Sequence, residues 1–502
     1  MQKNKKKPNR VGKVFGVIFS ILLVAATMYL LFNLVKLNVL PTKILFLVTV
    51  VFVLLDLIFI LLLCFATKGV VSKVICIIFT IAIALGSCMG GYYISKTGNL
   101  LSNMTTVSTN AKNTVSVIVK DSSDLKKKND LAGHSVGVLQ NIGTVGSNKV
   151  LKNLSKSGIE MTQTPYESLS AMLEAFYNGD VDSIIINESS RDQITDMETY
   201  ADFNNITRVV YQTSYEVENT DKANAVSDIT NTPFNVLISG SDTRGGFDEN
   251  GRSDVIMVAT INPKTSTVLL TSIPRDYYVT TTCDAADGCQ EGDLDKITHT
   301  GIHGTNTTKR TVEKLLGIEI NYTFKVGFDT VTDIVDAVGG IDVTVAPGYA
   351  VSSFYTLPGY GVHEGVNHLN GEHALAYARE RYAYSEGDRQ RTKNQQQVLM
   401  AIMDKVTSPA IVTNYASIMD SMANTFSTTM SNDEITSLIK YQLNKNPKWK
   451  IEQSMVDGTG DTQMCAELGN AAYVMVPDES TVTKASNKIN AVMQGKSADS
   501  VE

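Results

Sequence analysis

Between Asp242 and Asp276 the chain places carboxylates and guanidinium groups at the ends of short apolar runs. The stretch from Asn235 reads NVLISGSDTRGGFDENGRSDVIMVATINPKTSTVLLTSIPRD. Asp242 follows the first run, Arg252 and Asp254 open the second, and Arg275 and Asp276 close the third. Paired carboxylates of this kind hold a hard cation, and guanidinium forks grip phosphate oxygens. The Gly-rich loop 240–251 lets the backbone turn tightly and approach a ligand. For one such pair the ordinary reading is mutual ion pairing or plain solvation. Recurrence shifts that reading. Arg379, Arg381, Arg389 and Arg391 follow in one stretch, in a chain of formal net charge -7. As a set they point to a phosphate or polyanion ligand.

The elements that must position these groups follow from hydrophobic periodicity. Runs at 235–239, 254–262 and 267–273 are rich in β-branched residues and predict buried strands. Asn262-Pro263-Lys264-Thr265 predicts the hairpin between the second and third. Downstream, 305–316 predicts a helix stopped by Gly317, and 322–328 a strand. Residues 329–338 predict a helix with Asp329 as N-cap, and 341–345 a strand that continues the sheet. A helix from Asn370 or Gly371 runs to Arg379 and Arg381. A second, 388–406, carries Asp388, Arg389, Arg391, Lys393 and Gln395 on its first turns, where free N–H groups favour anions. Residues 413–443 predict one or two more helices and 450–457 a last strand. The result is an α/β domain, 233–478, with a mixed central sheet flanked by helices, followed by a polar tail at 479–502 expected to be mobile.

Ahead of it lie two further regions. Residues 1–96 hold a basic tail with Lys3, Lys5, Lys6, Lys7, Arg10 and Lys13, then apolar runs at 14–35, 44–66 and 74–93, each long enough to cross a bilayer. By the positive-inside rule the tail is cytoplasmic, and three crossings put the rest outside. Asp56, within the second run, is expected to be neutral or bonded to Ser20, Thr27 or Thr49 rather than part of a relay. Residues 97–230 predict a small accessory α/β domain and a linker. Its strands lie at 114–120, 134–139 and 181–186, its helices at 143–154 and 166–177, and its linker at 219–232. DLAGHSVGVL…NGDVDSIIIN is similar to one lobe of an extracellular solute-binding protein, with no second lobe to form a clamshell. A regulatory or docking module, or a spacer, is what that leaves. Cys64, Cys76 and Cys88 fall in or beside the spans. Cys283 and Cys289, in CDAADGC, suit a disulfide in an oxidising compartment, with Cys465 either free or paired with one of them.

NVLISGSDTR, GRSDVIMVATINPKT, LLTSIPRD, DKITHT, VGGIDV, LNGEHALAYARERY and DRQRTKNQQQVL together resemble the LytR-CpsA-Psr family over nearly all of 233–410. The three spans and the added extracellular segment are most similar to its streptococcal, capsule-attaching members. The resemblance implies a cell-envelope phosphotransferase. Such an enzyme moves a glycan phosphate from a polyprenyl-pyrophosphate lipid to a peptidoglycan hydroxyl with Mg2+. By the same resemblance, Asp242 and Asp254 would hold the metal. Arg252, Arg275, Lys296, Arg379, Arg381, Arg391 and Gln395 would bind the pyrophosphate, with Arg252, Arg275, Asp388 and Arg391 at the reacting centre. The CDAADGC insertion puts the path to Lys296 in doubt. Two other readings use the same residues: a pyrophosphatase that only hydrolyses the lipid, and a transcriptional attenuator that binds nucleic acid. The expected topology argues against nucleic acid, because it places the basic cluster outside the cell.

Overall fold

The computed structural model describes residues 10–66, 70–105, 110–241, 249–283, 289, 291–408 and 426–501. Asp242, most of the basic tail, the interior of the CDAADGC loop and residues 409–425 lie outside the described residues. The chain forms two compact units.

The first unit holds helices Arg10–Leu37, Thr42–Leu61 and Val70–Thr105, together with Asn432–Lys445. Three stretches, Val14–Leu37, Thr42–Ala66 and Val71–Gly98, are long and apolar enough to cross a membrane. Their large side chains face outward: Phe46 is 70% and Phe65 75% exposed. That much bare apolar surface suits lipid rather than water. Glycine permits close helix crossings here, since a Cβ on Gly91 would meet the Tyr29 ring at 2.6 Å. Asp56 accepts a hydrogen bond from Thr27 Oγ1 at 3.1 Å, as expected of a satisfied group. The third helix runs past the expected boundary at 96, to Thr105.

The second unit contains two sheets that matter for function. The accessory sheet comprises β1 (Asn110–Lys120), β2 (Ser135–Leu139), β3 (Thr162–Tyr166), β4 (Ser183–Asn187) and β5 (Thr207–Glu218), in the order β3-β2-β4-β1-β5. β2 is parallel to β3 and β4, while β1 is antiparallel to β4 and β5. The expected helix at 166–177 starts later, at Leu169, behind an N-cap Ser168 whose hydroxyl accepts from Ala171 N at 3.2 Å. The residues before it form β3, which Pro165 keeps at the sheet edge. The linker near 219–232 packs closely, with Asp221 buried and accepting from Thr323 Oγ1 at 2.5 Å.

The central sheet is mixed, in the order β14-β11-β6-β7-β8-β15. β6 (Phe234–Ser241), β7 (Ser253–Asn262) and β8 (Thr267–Ile273) form an antiparallel meander, with Asn262 opposite Thr267 at the predicted hairpin. β9 (Tyr278–Thr280) and β10 (Leu294–Lys296) form a short ribbon. β11 (Tyr322–Gly327) lies parallel to β6. β12 (Ile341–Val345) departs from expectation. It pairs with β13 (Gly365–Leu369) in a separate ribbon and does not extend the sheet. The place beside β11 goes instead to β14 (Phe426–Thr428), antiparallel. β15 (Lys450–Met455) lies parallel to β8, and β16 (Gly458–Cys465) pairs with β17 (Asn470–Pro477). Helix Thr305–Leu316 is as predicted and ends at Gly317 in the left-handed conformation. Asp329 is not an N-cap: the helix begins at Phe328 behind Gly327, whose N–H donates to Thr330 Oγ1 at 3.0 Å.

The expected mobile tail is also overturned. Residues Glu479–Met493 form a helix that buries Val482, Ala485, Ile489 and Val492 against Leu269 and Val312 of the main core. Its apolar stripe is narrow and flanked by polar residues, so it looks like a tail until its partner surface is known.

Candidate active site

The meander brings the end of β6, the start of β7 and the end of β8 to one sheet edge. Residues far apart in sequence therefore meet. Asp254 Oδ1 accepts from Arg275 Nη1 at 3.0 Å and from Thr298 Oγ1 at 3.3 Å. Arg275 Nε lies 3.8 Å from Asp276 Oδ2, and Asp276 Oδ1 accepts from Lys296 Nζ at 3.0 Å. Lys296 reaches this point because β10 returns alongside β9, with Lys296 opposite Tyr278. The insertion between them is closed by a Cys283–Cys289 disulfide, Cα atoms 6.4 Å apart, so it leaves the path to Lys296 intact. Cys465 is a buried free thiol.

The long helix Asp388–Thr407 supplies the second wall. Asp388 forms an ion pair with Arg391 one turn on. Gln395 stands a further turn along the same face and is partly buried. Gln396 locks this helix to the sheet: its Nε2 donates to Ser272 Oγ and to Ser454 O, both at 2.8 Å. Nothing in the run Gln395-Gln396-Gln397 distinguishes this positioning residue by sequence. Arg389 turns away, donating to Asp457 Oδ1 and Gly458 O at 2.6 Å each. Arg379 is exposed and stacks over Phe328 at 4.5 Å, outside the buried cluster. Arg381 stacks on Tyr382 at 4.7 Å but lies near enough to Arg391 to act on its charge. Arg252, buried, donates to Asp196 of the accessory domain at 2.5 Å. Asp276 stands out in the sequence only as a strand-end carboxylate without an assigned role, and Tyr473 was not anticipated as a site residue. The first could have been given a role as the carboxylate beside Arg275. The second, on β17, lies within electrostatic reach of Asp276 and Asp388.

The electrostatics favour an added anion. Burial alone would raise the Asp254 carboxyl, but the guanidinium groups of Arg275, Arg252 and Arg391 hold it well below the usual carboxylate range. Asp276 is likewise held low, burial being outweighed by Arg275 and Lys296. Arg391 is pushed down by burial, with nearby Arg275 and Arg381 adding to it and Asp388 opposing. Among the described residues, five cations (Arg252, Arg275, Lys296, Arg381 and Arg391) face four carboxylates, Asp196, Asp254, Asp276 and Asp388. Ser241 Oγ, Arg275 Nε, Arg391 Nε and Asp388 Oδ2 are buried without a hydrogen-bond partner. Such atoms call for a ligand. No three His, Cys, Asp or Glu side chains cluster among the described residues. Mg2+ does not need three, since one or two carboxylates suffice when substrate phosphate and water complete its shell. Asp254 fits that role, because both its contacts fall on Oδ1.

The depressed carboxylates make an acid prediction. Their folded pKa values lie below the unfolded value of about 3.9. Their stabilisation is therefore complete above that value and is lost as pH falls through the folded ones. Urea midpoints should hold level from neutrality to about pH 5 and decline below about pH 4, less so in Asp276→Asn. A midpoint that rises on acidification would contradict the pairing.

The LytR_cpsA_psr family model matches residues 200–491. The chain is 34% identical over 248 residues to the polyisoprenyl-teichoic acid–peptidoglycan teichoic acid transferase TagU of Bacillus cereus, covering 49% of this chain and 75% of that protein. It is 33% identical over 253 residues to the protein of the same name from Enterococcus faecalis, covering 50% and 78%. The crystal structure of Bacillus subtilis TagV is 28% identical, with a TM-score of 0.42, over 53% of this chain and 98% of that one. With more than half its length matched by the family model, and with three quarters of a relative at this identity covered, the chain belongs to the LytR_cpsA_psr family.

Proposed function

We propose that the protein is a membrane-anchored glycopolymer transferase. It moves a glycan phosphate from a polyprenyl-pyrophosphate lipid to a hydroxyl of peptidoglycan, outside the cell, forming a phosphodiester. The observation that carries this is the buried cluster around Arg275 and Asp254, with its excess of cations and its unpartnered polar atoms. The relatives are named as teichoic acid transferases to peptidoglycan, which agrees with the class of reaction. Capsular polysaccharide is the glycan that the resemblance to the capsule-attaching members implies, with teichoic acid and other wall glycans open. The basic tail, by the positive-inside rule, puts the site on the outer face.

In this reading the acceptor oxygen forms a bond to the glycan-bearing phosphorus. The bond from that phosphorus to the bridging oxygen breaks, the lipid leaves as its monophosphate, and the acceptor proton is lost. Arg275, Arg252 and Arg391 bind the pyrophosphate oxygens and stabilise the charge that grows on the departing phosphate. Lys296 and Asp276 hold Arg275 in place, and Asp388 orients Arg391. Bound Mg2+, held by Asp254 and Asp242, would supply further neutralisation of phosphate charge.

The test gives the full-length protein, in nanodiscs, a synthetic polyprenyl-pyrophosphate glycan and peptidoglycan fragments, and looks for the phosphodiester by mass spectrometry. Asp254→Asn should slow transfer by about ten- to a hundredfold, the worth of one lost charge-assisted contact of about 1.5–3 kcal/mol, and should change its dependence on added Mg2+. Release of free glycan phosphate with no adduct would make the protein a pyrophosphatase instead. An unchanged Asp254→Asn would remove the metal from the reading.

A further inference from the structure

A cavity of about 320 Å3 lies away from the Arg275 cluster, at the ends of β2 and β4. These two strands are adjacent and parallel. The chain leaves β2 toward β3 on one side and leaves β4 toward β5 on the other. Crevices at such a reversal, outside the carboxyl ends of parallel strands, are where open α/β sheets bind ligands. The volume falls within the usual range for small-molecule sites. The accessory domain has no second lobe, and the missing wall comes from the main domain through Ile302, His303 and Glu467.

Three kinds of group line this cavity. The first is the N-terminus of helix Thr144–Ser155, whose N-cap Gly143 has φ +66° and offers no side-chain cap. Its first-turn N–H groups and dipole favour a carboxylate. The second is a set of acceptors. Asn113 is 7% exposed, and while its Nδ2 makes only a 3.5 Å contact to Tyr215 Oη, its Oδ1 has no partner. Glu467, 9% exposed, adds a carboxylate next to His303, whose Nε2 is 2.9 Å away, and Glu216 adds another. Asn113 Oδ1, an acceptor without a donor, beside the Glu467 carboxylate suits an ammonium group. The third is an apolar wall made by Leu139, Ile142, Leu169 and Ile302.

We infer that this cavity is a binding site for a free α-amino acid with an apolar side chain. The carboxylate sits at the Thr144 helix end, the ammonium faces Asn113 Oδ1 and Glu467, and the side chain lies against Leu139 and Ile302. The site is separate from the transfer chemistry, so its test is binding alone.

The experiment is titration calorimetry on the full-length protein in nanodiscs, with the L and D forms of alanine, valine, leucine, methionine and phenylalanine as separate probes. At least one should bind saturably at one site per chain. Its amide, which lacks the carboxylate, and its des-amino acid, which lacks the ammonium, should each bind at least about tenfold more weakly. Thr144→Asp suits the helix dipole, so it should leave the melting temperature of the free protein unchanged while repelling the carboxylate and weakening binding by at least about tenfold. The assignment is overturned if none of the probes binds up to about 10 mM, if both truncated analogues bind as well as the parent, or if Thr144→Asp binds normally with its fold intact.

Discussion

Arg275→Met should abolish transfer and, in the same protein, remove about 3–5 kcal/mol of stability. Both losses have one cause. Arg275 joins two carboxylates, with Nη1 3.0 Å from Asp254 and Nε 3.8 Å from Asp276, and the side chains of all three are about nine-tenths buried. Removing the guanidinium leaves Asp254 without its nearest counter-ion in a place that water reaches poorly, and a buried charge without its partner is costly. Lys296 still offsets Asp276, which keeps the loss within that range. The double variant Arg275→Met with Asp254→Asn separates stability from chemistry. It removes charge from both partners, so most of the stability should return, because neutralising a buried pair together is often nearly neutral. Transfer should stay absent. Chemical unfolding followed by far-UV circular dichroism, beside the transfer assay, reads both. If Arg275→Met unfolded like wild type, the ion pair would be a solvated surface feature. If the double variant recovered transfer, Arg275 would not touch the substrate.

The second large effect is at the C-terminus. A chain ending at Asp478 should fail to give a cooperative unfolding transition. The removed helix contributes Val482, Ile489 and Val492, all buried, to the same core as Leu269 and Val312. At about 1.5–3 kcal/mol for each large apolar side chain, the loss is about 5–9 kcal/mol, comparable with the whole stability of an ordinary domain. It also exposes the hairpin turn, where Asn262 Nδ2 donates to Val492 O at 2.7 Å. Limited proteolysis and thermal melting of the truncated protein measure this. A wild-type melting curve would restore the view of 479–502 as a mobile tail.

Much of the site was legible in advance because its signals are local. The meander 235–273 announces itself by β-branched runs around a Pro-containing turn, and each run has charged residues at or just beyond one end. Helix Thr305–Leu316 carries its own stop signal in Gly317. The family motifs span these same segments. Other features depend on a partner surface that no window of sequence contains. TQTPY has neither strand alternation nor apolar bulk, and becomes β3 only because β2 offers it an edge. Residues 341–345 satisfy a strand pattern, but pattern alone does not choose between the central sheet and a separate ribbon with β13.

The same division runs through the chemistry. Residue types and order, by themselves, determined that this chain carries three apolar helices and an α/β domain rich in strand-end charges, and that those charges suit a phosphate ligand. Charge and hydrophobic period are local properties, so they survive reading one residue at a time. Tertiary structure decided which cations matter. It joined Arg275 to Asp254 across 21 residues, buried Arg391 beside them, and turned Arg379 and Arg389 to other partners. It also recruited Gln396 to fix the helix and Asp196 to hold Arg252. Coulomb energy depends on distance and burial, and only the folded chain sets those.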